Sequence, residues 1–245
     1  GRVQSVAVRL IVEKEREIQD FNPKESFKSH AIFITKDGKK IKSQLQKNFD
    51  DKQSALSFLK KNINSNYHIN SVEKKPGKKS PTSPFTTSTL QQEASRKLYF
   101  SVSKTMVVAQ RLYESGLITY MRTDSVNLSK EAQNSAVNEI KSRYGSEYVQ
   151  QRTFKNKNKG AQEAHEAIRP TDLSKNTIDG DYDQIRLYEL IWKRTISSQM
   201  SDAKSEKTQL KIKSSNYNEM FIANGEVLLF EGFLKVYLSL IHISE

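Results

Sequence analysis

The segment 116–125 combines residue types that can attack and hold a phosphate. Tyr120, Arg122 and Asp124 follow a short apolar run at the end of a helical pattern. A tyrosine hydroxyl can act as a covalent nucleophile, but with an ordinary pKa of about 10 it needs a group that removes its proton or stabilises the phenolate. Arg122 could provide that stabilisation and could also bind a phosphate through its planar guanidinium. Because the chain contains 10 tyrosines, a core tyrosine with a bonded hydroxyl is the competing interpretation.

A second polar segment, residues 162–171, contains His165, Glu166 and Arg169. His165 and Arg169 could donate hydrogen bonds to a phosphate, and Glu166 could orient them. The segment is not a zinc-protease helix, because Arg169 stands where the second histidine of His-Glu-x-x-His would be. On spacing alone, an ordinary loop that leads into Pro170 is the better interpretation.

The sequence contains no recognisable nucleoside triphosphate site. Gly77-Lys78 is similar to the end of a phosphate-binding loop, but Val72 replaces the first glycine and Lys79 replaces the Ser or Thr that would hold the metal. The pattern Gly-x-Gly-x-x-Gly is also missing. The chain has no cysteine, which excludes disulfides, thiolate nucleophiles and cysteine-ligated zinc.

The charge of the chain indicates a polyanionic partner. Its 245 residues include 40 Lys and Arg against 28 Asp and Glu, a formal net charge of +12, and such an excess points first to nucleic acid. Residues 74–111 hold eight of these cations and one acid, with Tyr99 and Phe100 among them. Interleaved basic and aromatic residues are typical of single-strand binders; a solvated basic face beside two core aromatics is the alternative. The apolar runs are far shorter than the roughly 20 residues of a membrane span, and no secretion signal is recognisable.

Periodicity predicts a helical segment between two β-rich segments. The first β-rich segment contains a hairpin at Asp37-Gly38 and a strand at 67–73, and a Pro-rich connector at 74–84 marks the expected domain boundary. The second includes a turn at Asn224-Gly225. Two helices are expected in the first 66 residues, one before Asn22-Pro23 and one around Leu56. Four more are expected in the middle, opened by a capping box at residues 88–91: 88–99, 103–115, 129–144 and 182–199.

Residues 116–125 resemble the active-site signature of the type IA DNA topoisomerases, in particular bacterial topoisomerase I. Three further segments resemble the family in the same order: 1–13, 84–92 and 165–171. The resemblance covers residues 1–237, and four collinear motifs are specific together. Met121 and Glu166 favour the topoisomerase I branch over the topoisomerase III branch.

This resemblance implies roles for individual residues. Tyr120 would attack a phosphodiester and hold the 5′ phosphate as a phosphotyrosine, while Arg122 would position that phosphate and stabilise its charge. His165 is expected near the same phosphate. The residues implied in DNA binding are Gly1, Arg2, Gln4, Tyr99, Asp124 and Arg169, the last two in support of the phosphate site. The implied reaction relaxes negatively supercoiled DNA without ATP, because one phosphodiester is exchanged for another of similar energy.

The implied fold class is multi-domain α+β, part of the type IA topoisomerase toroid, with a helical domain inserted into a β-rich hinge domain. Residues 1–30 and 229–237 are expected in the DNA-groove domain, 31–83 and 201–228 in the hinge, and 84–200 in the helical domain that bears Tyr120. Residues 238–245 resemble a translated sequencing adapter and are expected to be a non-native tail without function for His242.

The resemblance also implies the cofactor and the partner. Mg²⁺ is expected to be held by a toprim domain upstream of Gly1, and no residue of this chain is expected to bind it; Asp179, Asp181 and Asp183 are interpreted as a polar helix start. The expected partner is single-stranded DNA within negatively supercoiled duplex, and the expected protein is a monomer of the bacterial cytoplasm, associated with the nucleoid and not with a membrane. This chain alone is expected to bind single strands weakly and not to cleave them. A non-catalytic single-strand binding module and a structural scaffold are the competing functions.

Overall fold

The computed structural model describes residues 2–154 and 166–237. Contacts divide the chain into two compact units. The first unit comprises residues up to Lys75 together with Lys207–Glu226, and the second comprises Pro76–Glu206 and the chain from Val227 onward. Because the second unit carries Tyr120, it is the one that positions the candidate chemistry.

The first unit begins with helix α1 (Arg2–Gln19), whose side chains from residue 3 onward are exposed. A hairpin follows, formed by strands β1 (His30–Ile34) and β2 (Lys40–Leu45). Its turn contains Gly38 at a φ of 81°, a conformation that glycine adopts without steric cost. Helix α2 (Lys52–Asn62) comes next, and its first turn is capped by the Asp51 carboxylate. The predicted hairpin at Asp37-Gly38 is confirmed.

Three longer strands complete a five-stranded sheet: β3 (Tyr67–Lys79), β4 (Ala203–Ser214) and β5 (Tyr217–Phe230). The strand order is β1-β2-β5-β4-β3, and β2 pairs antiparallel with both β1 and β5. A small apolar core packs one side of this sheet against α2; its buried members are Leu45, Phe49, Phe58, Ile212 and Phe221.

Two predictions about this sheet were wrong. The supposed connector at 74–84 continues strand β3 as far as Lys79, which an edge strand allows because Pro76 need not donate to a ladder there. The supposed turn at Asn224-Gly225 lies inside β5. Gly225 does not have the positive φ that a two-residue hairpin turn requires, and the Asn224 side chain instead accepts a hydrogen bond from Gln209 on β4.

Four helices build the second unit: α3 (Thr87–Leu98), α4 (Val102–Glu114), α5 (Lys130–Tyr144) and α6 (Tyr182–Ser198). They surround the largest apolar core of the described residues, which also contains Phe85, Ile118 and Met121. The four predicted helices are therefore confirmed. The chain from Phe230 to Tyr237 packs against this same core.

The start of α3 differs from the prediction. The capping box is formed by Thr86 and Thr89, whose side chains each accept a hydrogen bond from the other's backbone N–H. Thr86 is extended, with φ −94° and ψ 171°, as an N-cap must be, whereas Ser88 is already helical. The start of α6 agrees with the prediction, because Asp181 caps it together with Gln184.

The chain passes from the first unit to the second at 75/76, within the segment 74–84 where a domain boundary is expected. Residues 76–83 and 201–206 belong with the helices, as do 227–237, and α1 belongs with the β-rich part. The assignment of these segments to a groove, a hinge or a gate of a larger enzyme stays a prediction.

Candidate active site

The loop that carries Tyr120 begins at the C-terminus of α4. The Gly116 N–H donates to the Tyr113 carbonyl at 2.8 Å, and the Leu117 N–H donates to the Leu112 carbonyl at 2.9 Å. This pair of bonds is a Schellman motif, which requires a left-handed residue after the helix. Gly116 provides it, with φ 69° and no atom within 4 Å of the position a Cβ would occupy. The helix therefore ends at a defined residue and turns the chain back toward the core.

Thr119, immediately before Tyr120, is bonded to residues 167–169. Its N–H donates to the Arg169 carbonyl at 2.9 Å, and its hydroxyl donates to the Ala167 carbonyl at 2.7 Å and accepts from the Arg169 N–H. Ile118 forms an antiparallel bridge with Pro170 beside it. Two motifs that are about 50 residues apart in sequence are thus joined through backbone bonds.

Thr87, in the first turn of α3, holds the other side of Tyr120. Its hydroxyl donates to the Met121 carbonyl at 2.8 Å and accepts from the Thr123 N–H at 2.9 Å. The Thr87 N–H donates to the Thr123 carbonyl. The Met121 side chain is 1% exposed in the apolar core. Tyr120 is therefore fixed by its neighbours on both sides.

The Tyr120 side chain itself remains accessible. Its ring is 45% exposed and packs edge to face on Tyr113, with ring centroids 5.2 Å apart at 65°. Arg122 and Asp124 are exposed on the same loop. Within the described part of the chain, neither the Tyr120 hydroxyl nor the Arg122 guanidinium has a hydrogen-bond or ion-pair partner. A rigid backbone thus presents a nucleophile and a cation to solvent.

Arg169 is engaged differently. Its Nε and Nη2 donate to the two carboxylate oxygens of Glu166 at 3.2 and 2.7 Å, and its Nη1 donates to the Pro170 carbonyl at 2.9 Å. Glu166 also accepts from the N–H of Ser129, the N-cap of α5. Burial opposes the ionisation of Glu166, but the bonds from Arg169 and Ser129 outweigh it and hold the pKa of the carboxyl below its usual value. Arg169 therefore braces the loop, and three of its five N–H donors are bonded within the fold.

The other implied residues are dispersed. Tyr99 is the C-cap of α3 and is 89% exposed. Arg2 and Gln4 lie at the start of α1, in the first unit. His165 and Gly1 lie outside the described residues. The structure brings together Tyr120, Arg122 and Asp124, and it joins Arg169 to their loop.

Sequence reasoning overlooked three residues of this site. Thr87 lies in the segment 84–92 that resembles the family, but nothing in its spacing indicates a bond to Thr123. Thr119 lies in the short apolar run before Tyr120, and nothing in its spacing indicates bonds to Ala167 and Arg169. Tyr113 stands seven positions before Tyr120, but α4 ends at Glu114 between them. The helical spacing therefore does not apply, and the turn at Gly116 brings the two rings together.

The described residues contain no group of three or more His, Asp or Glu side chains that could hold a metal ion. None of the helices in the described ranges is long and apolar enough to cross a membrane.

The fold and the tyrosine loop together define an established family. Residues 1–244 match the family described as DNA topoisomerase, and the chain belongs to it. The chain is 45% identical to DNA topoisomerase 1 of Zymomonas mobilis, with 97% of this chain and 20% of that protein covered. It is 42% identical to DNA topoisomerase 1 of Escherichia coli, with 96% and 28% covered.

A solved structure agrees with these relatives. Full-length topoisomerase I from Thermotoga maritima is 34% identical, with a TM-score of 0.80, and the match covers all of this chain and 41% of that one. The chain spans 20% to 34% of the length of the curated relatives it matches. The resemblance to bacterial topoisomerase I and the predicted fold class, helices combined with an antiparallel sheet, are confirmed.

Proposed function

We propose that this chain is the strand-cleaving segment of a type IA DNA topoisomerase and that Tyr120 is its nucleophile. The Tyr120 Oη attacks the phosphorus of a phosphodiester in single-stranded DNA. The bond from phosphorus to the 3′ oxygen breaks, the tyrosine proton is lost and the 3′ oxygen gains a proton. The product is a 5′-phosphotyrosine and a free 3′-hydroxyl. Religation reverses these changes, so the number of phosphodiester bonds is conserved and ATP is not required.

The observation that carries this proposal is the way the Tyr120 loop is held. Thr119 and Thr87 anchor the backbone on both sides of a ring that is 45% exposed, and Arg122 is exposed two residues away. Fixing the nucleophile before the substrate arrives removes part of the entropic cost of the reaction. A guanidinium near the phosphate stabilises the charge that increases in the transition state.

The remaining implied residues have supporting roles. His165 is proposed to donate to the same phosphate, while Arg169 positions the loop through Glu166. Gly1, Arg2, Gln4, Tyr99 and Asp124 are proposed to contact the strand. The complete enzyme is expected to act as a monomer on single-stranded regions of negatively supercoiled DNA in the bacterial cytoplasm, at the nucleoid. The relatives' names identify DNA as what they act on.

The isolated chain is proposed to bind single strands without cleaving them, because the metal-binding domain implied by the resemblance is not among its residues. Metal-dependent cleavage by the purified 245 residues alone would refute this part.

The test joins the chain to the N-terminal region of DNA topoisomerase 1 from Zymomonas mobilis; this hybrid is called the joined protein below. It is incubated with Mg²⁺ and single-stranded DNA labelled at the 3′ end, and then denatured. Label should stay on the joined protein and be lost from Tyr120→Phe. Tyr144→Phe, which removes a hydroxyl from the same unit, should retain the label.

The competing function is a non-catalytic single-strand binding module, favoured by the basic segment 74–111. Absence of label from every variant, with single-strand binding intact, would leave only that function.

A further inference from the structure

Tyr99 adopts a backbone conformation that tyrosine rarely occupies. At φ 59° and ψ 32° it is the one non-glycine residue with a positive φ among the described residues. It occupies the end of α3, where glycine is the usual residue. Its ring is 89% exposed, so apolar burial does not compensate for the strain. A strained, exposed aromatic residue is a reason to look for a ligand.

Arg186, on α6, contacts the residues that precede and follow Tyr99 in the chain. Its Nη2 donates to the carbonyl of Leu98, the residue before Tyr99, at 3.4 Å. Its guanidinium carbon lies 5.4 Å from the ring centroid of Phe100, the residue after Tyr99. Among the described residues Arg186 has no carboxylate partner. Both chain neighbours of Tyr99 therefore contact the same cation.

Tyr182 also lies beside Arg186. The guanidinium carbon of Arg186 is 5.1 Å from the Tyr182 ring centroid, and the Tyr182 side chain is 73% exposed. The exposed Tyr182 ring therefore lies against the same guanidinium that contacts both chain neighbours of Tyr99. Neither Tyr182 nor Arg186 belongs to the segments that carry the resemblance to the topoisomerase family.

Asp181 and Asp183, on either side of Tyr182, are paired with cations. Lys104 on α4 pairs with Asp183 at 2.8 Å, and Arg111 pairs with Asp181 at 3.6 Å. These contacts also show that the first turns of α6 run antiparallel to α4. Unpaired acids would repel a polyanion from this surface. Because Asp181 and Asp183 are paired with cations, this repulsion is weaker.

We propose that Tyr99, Arg186 and Tyr182 form an accessory site that stacks the unpaired bases of a single nucleic acid strand. Aromatic rings and arginine planes bind bases of any sequence through their π-faces. The site lies at the start of α4, and Tyr120 lies beyond its end. Thirteen residues of α4 span about 20 Å, which matches about six nucleotides at stacked spacing. The proposal rests on the single-strand binding in the proposed function and not on cleavage by Tyr120.

The occupant of this surface is a nucleic acid rather than a protein because of charge. The chain carries a net charge of +12, and the exposed Tyr182 ring adjoins a guanidinium that has no carboxylate partner among the described residues. The rings supply recognition of bases, and phosphates can pair with the cation.

The test measures fluorescence anisotropy of the complete chain with a labelled oligothymidylate and with an abasic oligonucleotide of the same length. The variants are Tyr99→Gly, which removes the ring without adding strain, and Tyr182→Ala. Each should weaken binding to oligothymidylate about tenfold, the loss expected for one stacked base, and should leave binding to the abasic strand unchanged. Tyr99→Phe and Tyr182→Phe keep the rings and should bind like the parent. Arg186→Lys keeps the charge but should still weaken the binding of bases.

Val102→Ala is the matched control, since Val102 is 57% exposed beside Tyr99; it should change neither affinity. Equal losses on both strands, or no loss on oligothymidylate, would overturn the accessory site while the proposed cleavage by Tyr120 stands. If the unaltered chain binds neither strand, both the accessory site and the proposed single-strand binding fail.

Discussion

Tyr113 and Tyr120 pack edge to face across the end of helix α4, with their ring centroids 5.2 Å apart. The Schellman turn at Gly116 reverses the chain between them. The contact restricts the orientation of the Tyr120 ring and leaves its hydroxyl accessible. The contact with Tyr113 therefore orients the ring of the proposed nucleophile.

Replacement of Tyr113 tests this relationship. Tyr113→Ala should slow covalent trapping of labelled DNA by the joined protein about 10- to 100-fold, because a misplaced nucleophile loses the benefit of orientation. Tyr113→Phe, which keeps the ring contact, should react like the parent. Single-strand affinity should be the same in all three proteins. A loss of trapping in Tyr113→Phe would instead assign chemistry to the Tyr113 hydroxyl.

Thr87 should be important for both stability and cleavage. Thr87→Val keeps the shape of the side chain but removes the hydroxyl that bonds the Met121 carbonyl and the Thr123 N–H. The unfolding free energy should fall by about 1–3 kcal/mol, and trapping by Tyr120 should decrease. Thr87→Ser retains the hydroxyl and should keep most of the unfolding free energy and most of the trapping by Tyr120. Denaturant unfolding and the trapping assay provide the readouts, and an unchanged unfolding midpoint in Thr87→Val would contradict the anchoring role.

Glu166 should make stability depend on acid pH. Hydrogen bonds from Arg169 and Ser129 hold its pKa below the ordinary value of 4.5 in the folded chain. A lowered folded pKa means that the ionised carboxylate stabilises the fold above about pH 4.5, and that this contribution is lost as the pH falls through the folded value. Glu166→Gln should therefore lose stability at neutral pH and show a shallower decline in acid.

Unfolding free energies of both proteins between pH 7 and pH 3 measure this difference. Parallel curves for the parent and Glu166→Gln would show that the Glu166 carboxylate does not contribute to the pH dependence of the unfolding free energy. Arg169→Met, which removes the main partner of Glu166, should shift the acid decline of the parent toward higher pH.

Replacement of Tyr99 by glycine should weaken DNA binding without lowering the stability of the fold. Tyr99→Gly relieves a left-handed conformation that is unfavourable for tyrosine, but it also increases the freedom of the unfolded chain. The unfolding free energy should stay unchanged or rise by up to about 1 kcal/mol. Thermal unfolding measures this effect independently of DNA, and a large loss of stability would show that the exposed ring is structural.

The local elements follow from the sequence because their signals are local. The glycine after α4, the caps at Ser129 and Asp181, and the hairpin at Asp37-Gly38 depend on residues a few positions apart. Tyr120 and Arg122 were proposed for chemistry because the segment 116–125 resembles the topoisomerase signature, whereas their residue types alone left a core tyrosine as the alternative. The resemblance of four collinear motifs to the topoisomerases depended on the sequence alone.

Tertiary structure decided which of these residues touch. Local sequence patterns cannot indicate that Thr87 holds the Thr123 backbone, that Thr119 pairs with Arg169, or that Arg186 contacts both Phe100 and Tyr182. Such contacts join elements tens of residues apart, and their geometry follows from how apolar helix faces pack around one core. For the same reason β5 continues through Asn224-Gly225. Its pairing with β4 stabilises the extended conformation more than the local sequence favours a turn.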